Sequence, residues 1–481
     1  MNTRLPKAPV ALGTRRDMLL GSCASLGSVA LSWLLAQGEL RASQSDDTSA
    51  FSALRPRQPH FSARAKSIIY LVMEGGPSQI DTFDPKPALD RHHGTVFARE
   101  NVKTNQVKGK RFFVRSPFKF RQYGECGTPV SELFQETGEC VDDMAVVRSV
   151  YGDSDNHPAA LFQYNTGFPV QGNPSIGAWM VYGLGAENQN LPSFVVLRDG
   201  KPFGGTSTWG NGFLPALYQG TQFRGGTTPV LDLRPPAGVT QTSQRSNLDL
   251  LQQLNQKHRG DRPDQPDLEA RIAAYELAFR MQTEIPETVD LLSEPLHIQK
   301  LYGIDQDQTK AFGRRCLLAR RLVERGVRFV QLWSGGWDSH GDIASGHRNA
   351  ARKVDLPIAG LLRDLKQRGL LEETLVVWGG EFGRTADTNE AQWKKKQPGR
   401  DHNPKAMSMW FAGGGSKGGT VVGATDEVGD RAADQRYHLN DVHATLLHLM
   451  GLDQHKLTYY HGGRLKRLTN LGGEIIQEIV G

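Results

Sequence analysis

Ser67-Ile68-Ile69-Tyr70-Leu71-Val72-Met73 runs directly into Glu74-Gly75-Gly76-Pro77-Ser78. Seven consecutive strand-forming residues, with no polar alternation, describe a strand covered on both faces, as in a parallel sheet flanked by helices. The Gly-Gly-Pro turn that ends it exposes backbone amides where an anion can bind. Two further apolar runs behave alike. Arg328-Phe329-Val330-Gln331-Leu332-Trp333 leads to Gly336-Trp337-Asp338-Ser339-His340-Gly341, and Thr374-Leu375-Val376-Val377-Trp378 leads to Glu381-Phe382-Gly383-Arg384. In open α/β sheets, ligands bind beyond the carboxyl ends of the strands. Acid and imidazole groups collected there, with Asp401-His402 downstream, suit a divalent ion held by oxygen and nitrogen.

The rest of the chain alternates in the same way. Met144–Val150 and Phe194–Leu197 read as strands, and Leu268–Met281, Gln308–Arg325 and Val354–Gln367 as helices. Gly326 stops the second helix and feeds the next strand, a step typical of α/β folds. Asp441–Met450 reads as a helix capped by Asn440. Residues 235–266 are rich in Gln, Asn, Asp and Arg and read as an exposed insertion. There is no internal repeat. The fold class expected is α/β, with a mainly parallel central sheet and helices on both faces.

The amino terminus carries a separate message. Arg15-Arg16 precedes an uncharged run from Met18 to about Ala36, closed by Glu39 and Arg41. That arrangement is a twin-arginine signal, so residues 1–43 are expected to direct export to the periplasm or cell envelope; residues 44–65 follow as a polar tether. A retained amino-terminal anchor is the competing reading. Residues 66–481 then form one domain. Loss of residues 1–43 removes five basic and two acidic residues, taking the formal charge from +6 to +3. With no basic run interleaved with aromatics, nucleic-acid binding is disfavoured. No integral membrane span is expected in the mature protein. Cys126, Cys140 and Cys316 remain; an odd number leaves at least one thiol free, and Cys126–Cys140 stands open between a bridge and two buried thiols.

The twin-arginine start, the block Gly75-Gly76-Pro77-Ser78-Gln79-Ile80-Asp81-Thr82-Phe83-Asp84-Pro85-Lys86-Pro87 and the later Glu381-Phe382-Gly383-Arg384-Thr385 resemble the bacterial family called domain of unknown function 1501. More distantly, that resemblance implies the alkaline phosphatase and sulfatase superfamily fold. It implies Glu74 at the first metal-ligand position, and Asp338, His340, Glu381, Asp401 and His402 around the remaining ones. His157-Pro158 through Thr166-Gly167 is similar to the superfamily's nucleophile helix, with His157 at the nucleophile position. His157 is therefore open between ligand, base and covalent acceptor. No Cys-x-Pro-x-Arg or Ser-x-Pro-x-Arg occurs, which argues against a formylglycine sulfatase. Phe382 replaces a superfamily histidine, thinning the ligand set.

Two functions are carried forward. The first is an exported metal-dependent hydrolase of phosphate or sulfate esters, small-molecule or glycan. Asp338, His340 and His402 would share one zinc or manganese ion, with Glu381 or Glu74 as a fourth ligand. Arg384 and the turn at Ser78 would hold the ester oxygens. The second is an envelope binding or structural protein that kept the fold and lost turnover. Asp81 and Asp84 read as turn-stabilising, and among His438, His443 and His448 the middle one is the best candidate to face the site.

Overall fold

The computed structural model describes residues 54–97, 110–226, 228–231, 233, 238–260 and 266–481. The expected signal at residues 1–43 and the first part of the expected tether lie outside these residues. Residues Ser49–Gly481 group as one compact unit.

Its centre is a nine-stranded sheet. In chain order the strands are β1 (Ser67–Glu74), β2 (Met144–Tyr151), β3 (Phe194–Leu197), β4 (Thr221–Phe223), β5 (Phe329–Gly335), β6 (Thr374–Gly379), β7 (Met407–Ala412), β8 (Thr420–Val422) and β9 (Tyr437–His438). Their spatial order is β8-β2-β7-β6-β1-β5-β3-β4, with β9 beside β2. β7 runs antiparallel to β6 and β2, and the other pairings are parallel. β1 and β6 are fully buried and central. Ile69, Leu71 and Met73 enter one core, while Ile68, Tyr70 and Val72 enter the other on the opposite face. That two-sided burial is why β1 shows no polar alternation.

Helices cover both faces: α1 (His157–Thr166), α2 (Ile176–Leu184), α3 (Gln241–Gly260), α4 (Pro266–Val289), α5 (Lys310–Glu324), α6 (Ile343–Gln367) and α7 (Leu439–Leu449). Three differ from the sequence expectation. α6 starts well before Val354, because Asp342 adopts a left-handed conformation (φ 50°) and its side chain accepts the Ser345 amide. α7 is capped by His438, not Asn440: His438 Nδ1 accepts the Asn440 amide, and Asp441 accepts the His438 amide at 2.6 Å. The polar stretch near 235–266 is exposed as expected through much of its length, but residues 241–260 are helical. Gln, Arg, Lys and Leu are adequate helix formers, and polarity alone does not forbid a surface helix.

The tether also differs. Residues 54–65 lie along the domain, where the amides of Arg57, His60 and Arg64 bond to the carbonyls of Leu184, Gly451 and Leu449. Cys126, Cys140 and Cys316 are all free thiols. Among the described residues, no helix is long and apolar enough to cross a membrane.

Candidate metal centre

Register decides what meets at the sheet's carboxyl edge. Glu74 of β1 pairs with Gly335 of β5, and Val72 pairs with Gly379 of β6. The three adjacent parallel strands therefore end level, and Gly75, Asp338 and Glu381 follow those ends. Gly383–Arg384 forms a short antiparallel ladder with His402–Asn403, Arg384 opposite His402. That ladder brings the distant Asp401-His402 to the same edge. His157 arrives as the first residue of α1, which begins with Asn156 accepting the Ala159 amide and Pro158 in its first turn.

Donor atoms of His157, Asp338 and His402 all lie within 4.8 Å of one another. His157 Nε2 is 3.3 Å from one Asp338 oxygen, and His402 Nε2 is 3.1 Å from the other. His340 Nε2 joins them, 3.1 Å from Asp338 and 2.9 Å from His402 Nε2. Two donors about 2.0–2.2 Å from a shared tetrahedral ion sit roughly 3.3–3.6 Å apart, so these spacings suit one ion.

The opposite sides of the rings are equally ordered. His157 Nδ1 bonds Glu381 at 2.7 Å, His340 Nδ1 bonds Asp401 at 2.8 Å, and His402 Nδ1 bonds the Asp155 carbonyl at 2.6 Å. An oxygen at Nδ1 places a proton there, so the neutral rings of His157 and His402 offer the Nε2 lone pair toward Asp338, whereas His340, flanked by two carboxylates, also carries a proton on Nε2 when no ion is bound. Oxygen partners behind imidazole ligands are the usual outer support of a metal site. His157 Nε2 is also buried with no hydrogen-bond partner of its own. The residues present fit a divalent ion.

Charge follows the same geometry. Burial alone would raise the Asp338 carboxyl, but three imidazoles and Arg384 outweigh it and hold the group far below the usual range. Asp338 and Asp401 push His340 up to about 9. Burial works against Asp401 too, yet His340 and Arg111 bring it down to about 2. Burial lowers His402, and Asp338 only partly restores it.

The remaining sequence-predicted residues are placed elsewhere or one step out. Glu381 accepts the Gly75 amide at 2.9 Å as well as His157, so the anion at the Gly-Gly-Pro turn is the protein's own carboxylate. Asp401 is an outer partner shared by His340 and Arg111. Glu74 turns away to Arg198 at 2.7 Å and the Phe203 amide at 2.8 Å. Ser78 is fully buried, its hydroxyl on Asp81 and its amide on His347. Arg384 is fully buried, donating to the carbonyls of Gly75, Gly76 and Arg400 and to Asp338 at 2.7 Å. Neither side chain is free for an ester oxygen. Asp81 pairs with buried Arg400 at 2.7 Å, and Asp84 with Thr425 and Lys86. His443 is buried, donating from Nε2 to the Tyr164 carbonyl. Sequence reasoning missed Phe203, stacked on His157, and the Asp155 carbonyl; a backbone oxygen has no sequence signal.

Residues 65–480 match one family along nearly the whole described chain, "Protein of unknown function (DUF1501)". The chain belongs to that family. No curated protein matches it. Among solved structures, similar ones include the lipoteichoic acid synthase LtaP from Listeria monocytogenes, at 9% identity, covering 84% of this chain and 78% of that one, with TM-score 0.39. Alkaline phosphatase from the Antarctic bacterium TAB5 follows at 10% identity, 82% and 100% coverage and TM-score 0.35. The PsFucS1 sulfatase from Pseudoalteromonas sp. shows 13% identity, 84% and 71% coverage and TM-score 0.34. The overlap with each is loose.

Two buried histidines near this edge set an acid limit on the fold. Burial pushes His347 down to about 3 and His443 down to about 4. Unfolded histidine titrates near 6.5, so below that pH the unfolded chain binds protons that the folded chain refuses. Stability is complete above about pH 6.5 and falls as pH drops toward 4, with a slope approaching about 2.7 kcal/mol per pH unit for two protons. Urea unfolding at pH 7.5, 6 and 5 measures it. His347→Gln and His443→Gln should flatten the curve, and an unchanged slope in both would contradict the assignment.

Proposed function

We propose that this protein is an exported metal-dependent hydrolase of phosphate or sulfate esters, acting on a small-molecule or glycan ester. The observation that carries this reading is the arrangement of three imidazoles, each tied back through Nδ1 and each turning Nε2 toward Asp338. His157, Asp338 and His402 would hold the ion, and the carboxylate–imidazole mixture favours zinc or manganese. A bound divalent ion polarises an ester oxygen and lowers the pKa of a coordinated water. His157 Nδ1 is held by Glu381 and Nε2 would ligate the ion, which favours water over His157 as the attacking group. His340 is the most open of the three imidazoles and is backed by Asp401, so its Nε2 is placed to deliver a proton to the leaving oxygen.

One observation favours a second reading, an envelope protein that binds metal without turnover. Arg384 and Ser78, the groups expected to hold the ester oxygens, are buried and fully engaged. Metal analysis of purified protein, followed by turnover assays on a panel of phosphate and sulfate monoesters, separates the two. The hydrolase reading predicts stoichiometric metal and chelator-sensitive release of phosphate or sulfate. Stoichiometric metal without release from any ester supports the second.

Export is part of the same proposal and rests on Arg15-Arg16 ahead of the uncharged run. Replacing both arginines with lysine should leave folded protein in the cytoplasm on fractionation. Unimpaired export of the double variant would refute the twin-arginine route.

A further inference from the structure

Phe203 is about half exposed, 53%, although it stands beside a cluster of charged groups. Its ring lies parallel to the His157 imidazole, with centroids 4.5 Å apart and planes 20° apart. Phe382, fully buried, lies against the same imidazole on the core side at 5.0 Å. The segment bearing Phe203 is fixed. The Phe203 amide donates to Glu74, and Glu74 also accepts from Arg198, whose guanidinium lies over Trp333. Glu74 has 6% of its surface exposed, so this anchor is internal to the fold. The result is an apolar ring held rigidly at the edge of the metal centre with open surface remaining.

Leaving that surface in water forgoes the free energy of its burial. A flat ring on an incoming ligand would cover it and gain the offset or edge contact that aromatic faces prefer. An ester anion on an ion held by His157, Asp338 and His402 would carry its alcohol portion toward solvent, and the half-exposed Phe203 ring stacked on His157 stands beside it. The metal-centre reading supplies the anion's place, and the ring contact rests on it.

We propose that Phe203 is a specificity-determining platform that selects esters of ring-bearing alcohols, aryl or glycosyl, over esters of small acyclic ones. The selection acts on binding, so it does not depend on turnover.

Calorimetry on zinc-loaded protein tests it with four probes: inorganic phosphate, methylphosphonate, phenylphosphonate and glucose 1-phosphate. The wild type should bind at least one ring-bearing probe about three- to ten-fold more tightly than methylphosphonate, the range expected of one aromatic contact. The preferred ring distinguishes an aryl from a glycosyl alcohol. Phe203→Ala should erase the preference while leaving zinc content and inorganic phosphate affinity unchanged. Phe203→Trp should retain it. Equal binding of methylphosphonate and both ring-bearing probes by the wild type overturns the platform and leaves the metal-centre reading standing. A preference that survives in Phe203→Ala overturns it equally. Failure of all four probes to bind zinc-loaded protein overturns the platform together with the ester reading.

Discussion

Replacing His157 and His402 together with alanine should abolish tight binding of zinc or manganese while the sheet remains folded. Each contributes an Nε2 that faces Asp338, at 3.3 and 3.1 Å, and the pair leaves only Asp338 and the more exposed His340. Removing an outer partner of a metal ligand typically costs about 10–100-fold in affinity. Glu381→Gln, which weakens the support behind His157 and the bond to the Gly75 amide but removes no ligand, sets that smaller scale, and the double variant should exceed it. Far-ultraviolet circular dichroism and the urea midpoint in chelator should stay near wild type, because these two side chains stand at the sheet's edge and not in either core. Equilibrium dialysis gives the affinities. Retained affinity in the double variant would place the ion elsewhere.

The second large effect concerns Arg384 and is one of stability. Arg384→Ala should destabilise the metal-free protein by roughly 3–5 kcal/mol, the cost of removing one partner from a buried charged network. The guanidinium fills the space between the ends of β1 and β5 and the strand-like segment at His402, satisfying three carbonyls besides Asp338. Orphaning buried carbonyls costs about 1–3 kcal/mol per group, so the exposure of Asp338 does not rescue the variant. Against a typical total of about 5–15 kcal/mol, that loss is severe. Arg384→Lys should recover little, since a single ammonium cannot reproduce the planar fork. Were Arg384 instead a group that grips the ester, the alanine variant would unfold at the wild-type urea concentration and lose only ligand affinity.

Sequence showed the sheet better than it showed the site's wiring. β1, β5 and β6 were legible because burial on both faces favours largely apolar runs of strand length. Asp338, His340 and His402 were legible as a group because they follow strand ends or sit in an Asp-His pair. What each side chain does was less legible. Glu74, Glu381 and Asp401 are all carboxylates near one edge, yet Glu74 is drawn off by Arg198 and the Phe203 amide, and the other two sit behind histidines. Such choices depend on partners far away in sequence. Ser78 and Arg384 were read as anion-binding from the turn's backbone amides and the guanidinium's fork, whereas both are buried and bonded, Ser78 to Asp81 and His347 and Arg384 to Gly75, Gly76, Arg400 and Asp338. Phe203 carried no signal, since a single Phe in a Gly/Pro-containing loop has no period to place it. The helix at 241–260 was hidden by polarity, which reports exposure and not conformation.

Crystals grown with zinc and measured across the zinc absorption edge test the metal centre most directly. One anomalous peak is expected, within about 2.0–2.2 Å of His157 Nε2, His402 Nε2 and an Asp338 oxygen, as zinc coordination requires. Glu381, Asp401 and the Asp155 carbonyl should remain on the Nδ1 atoms. A peak bound by other residues, or no peak while the three Nε2 atoms still face Asp338, would contradict it.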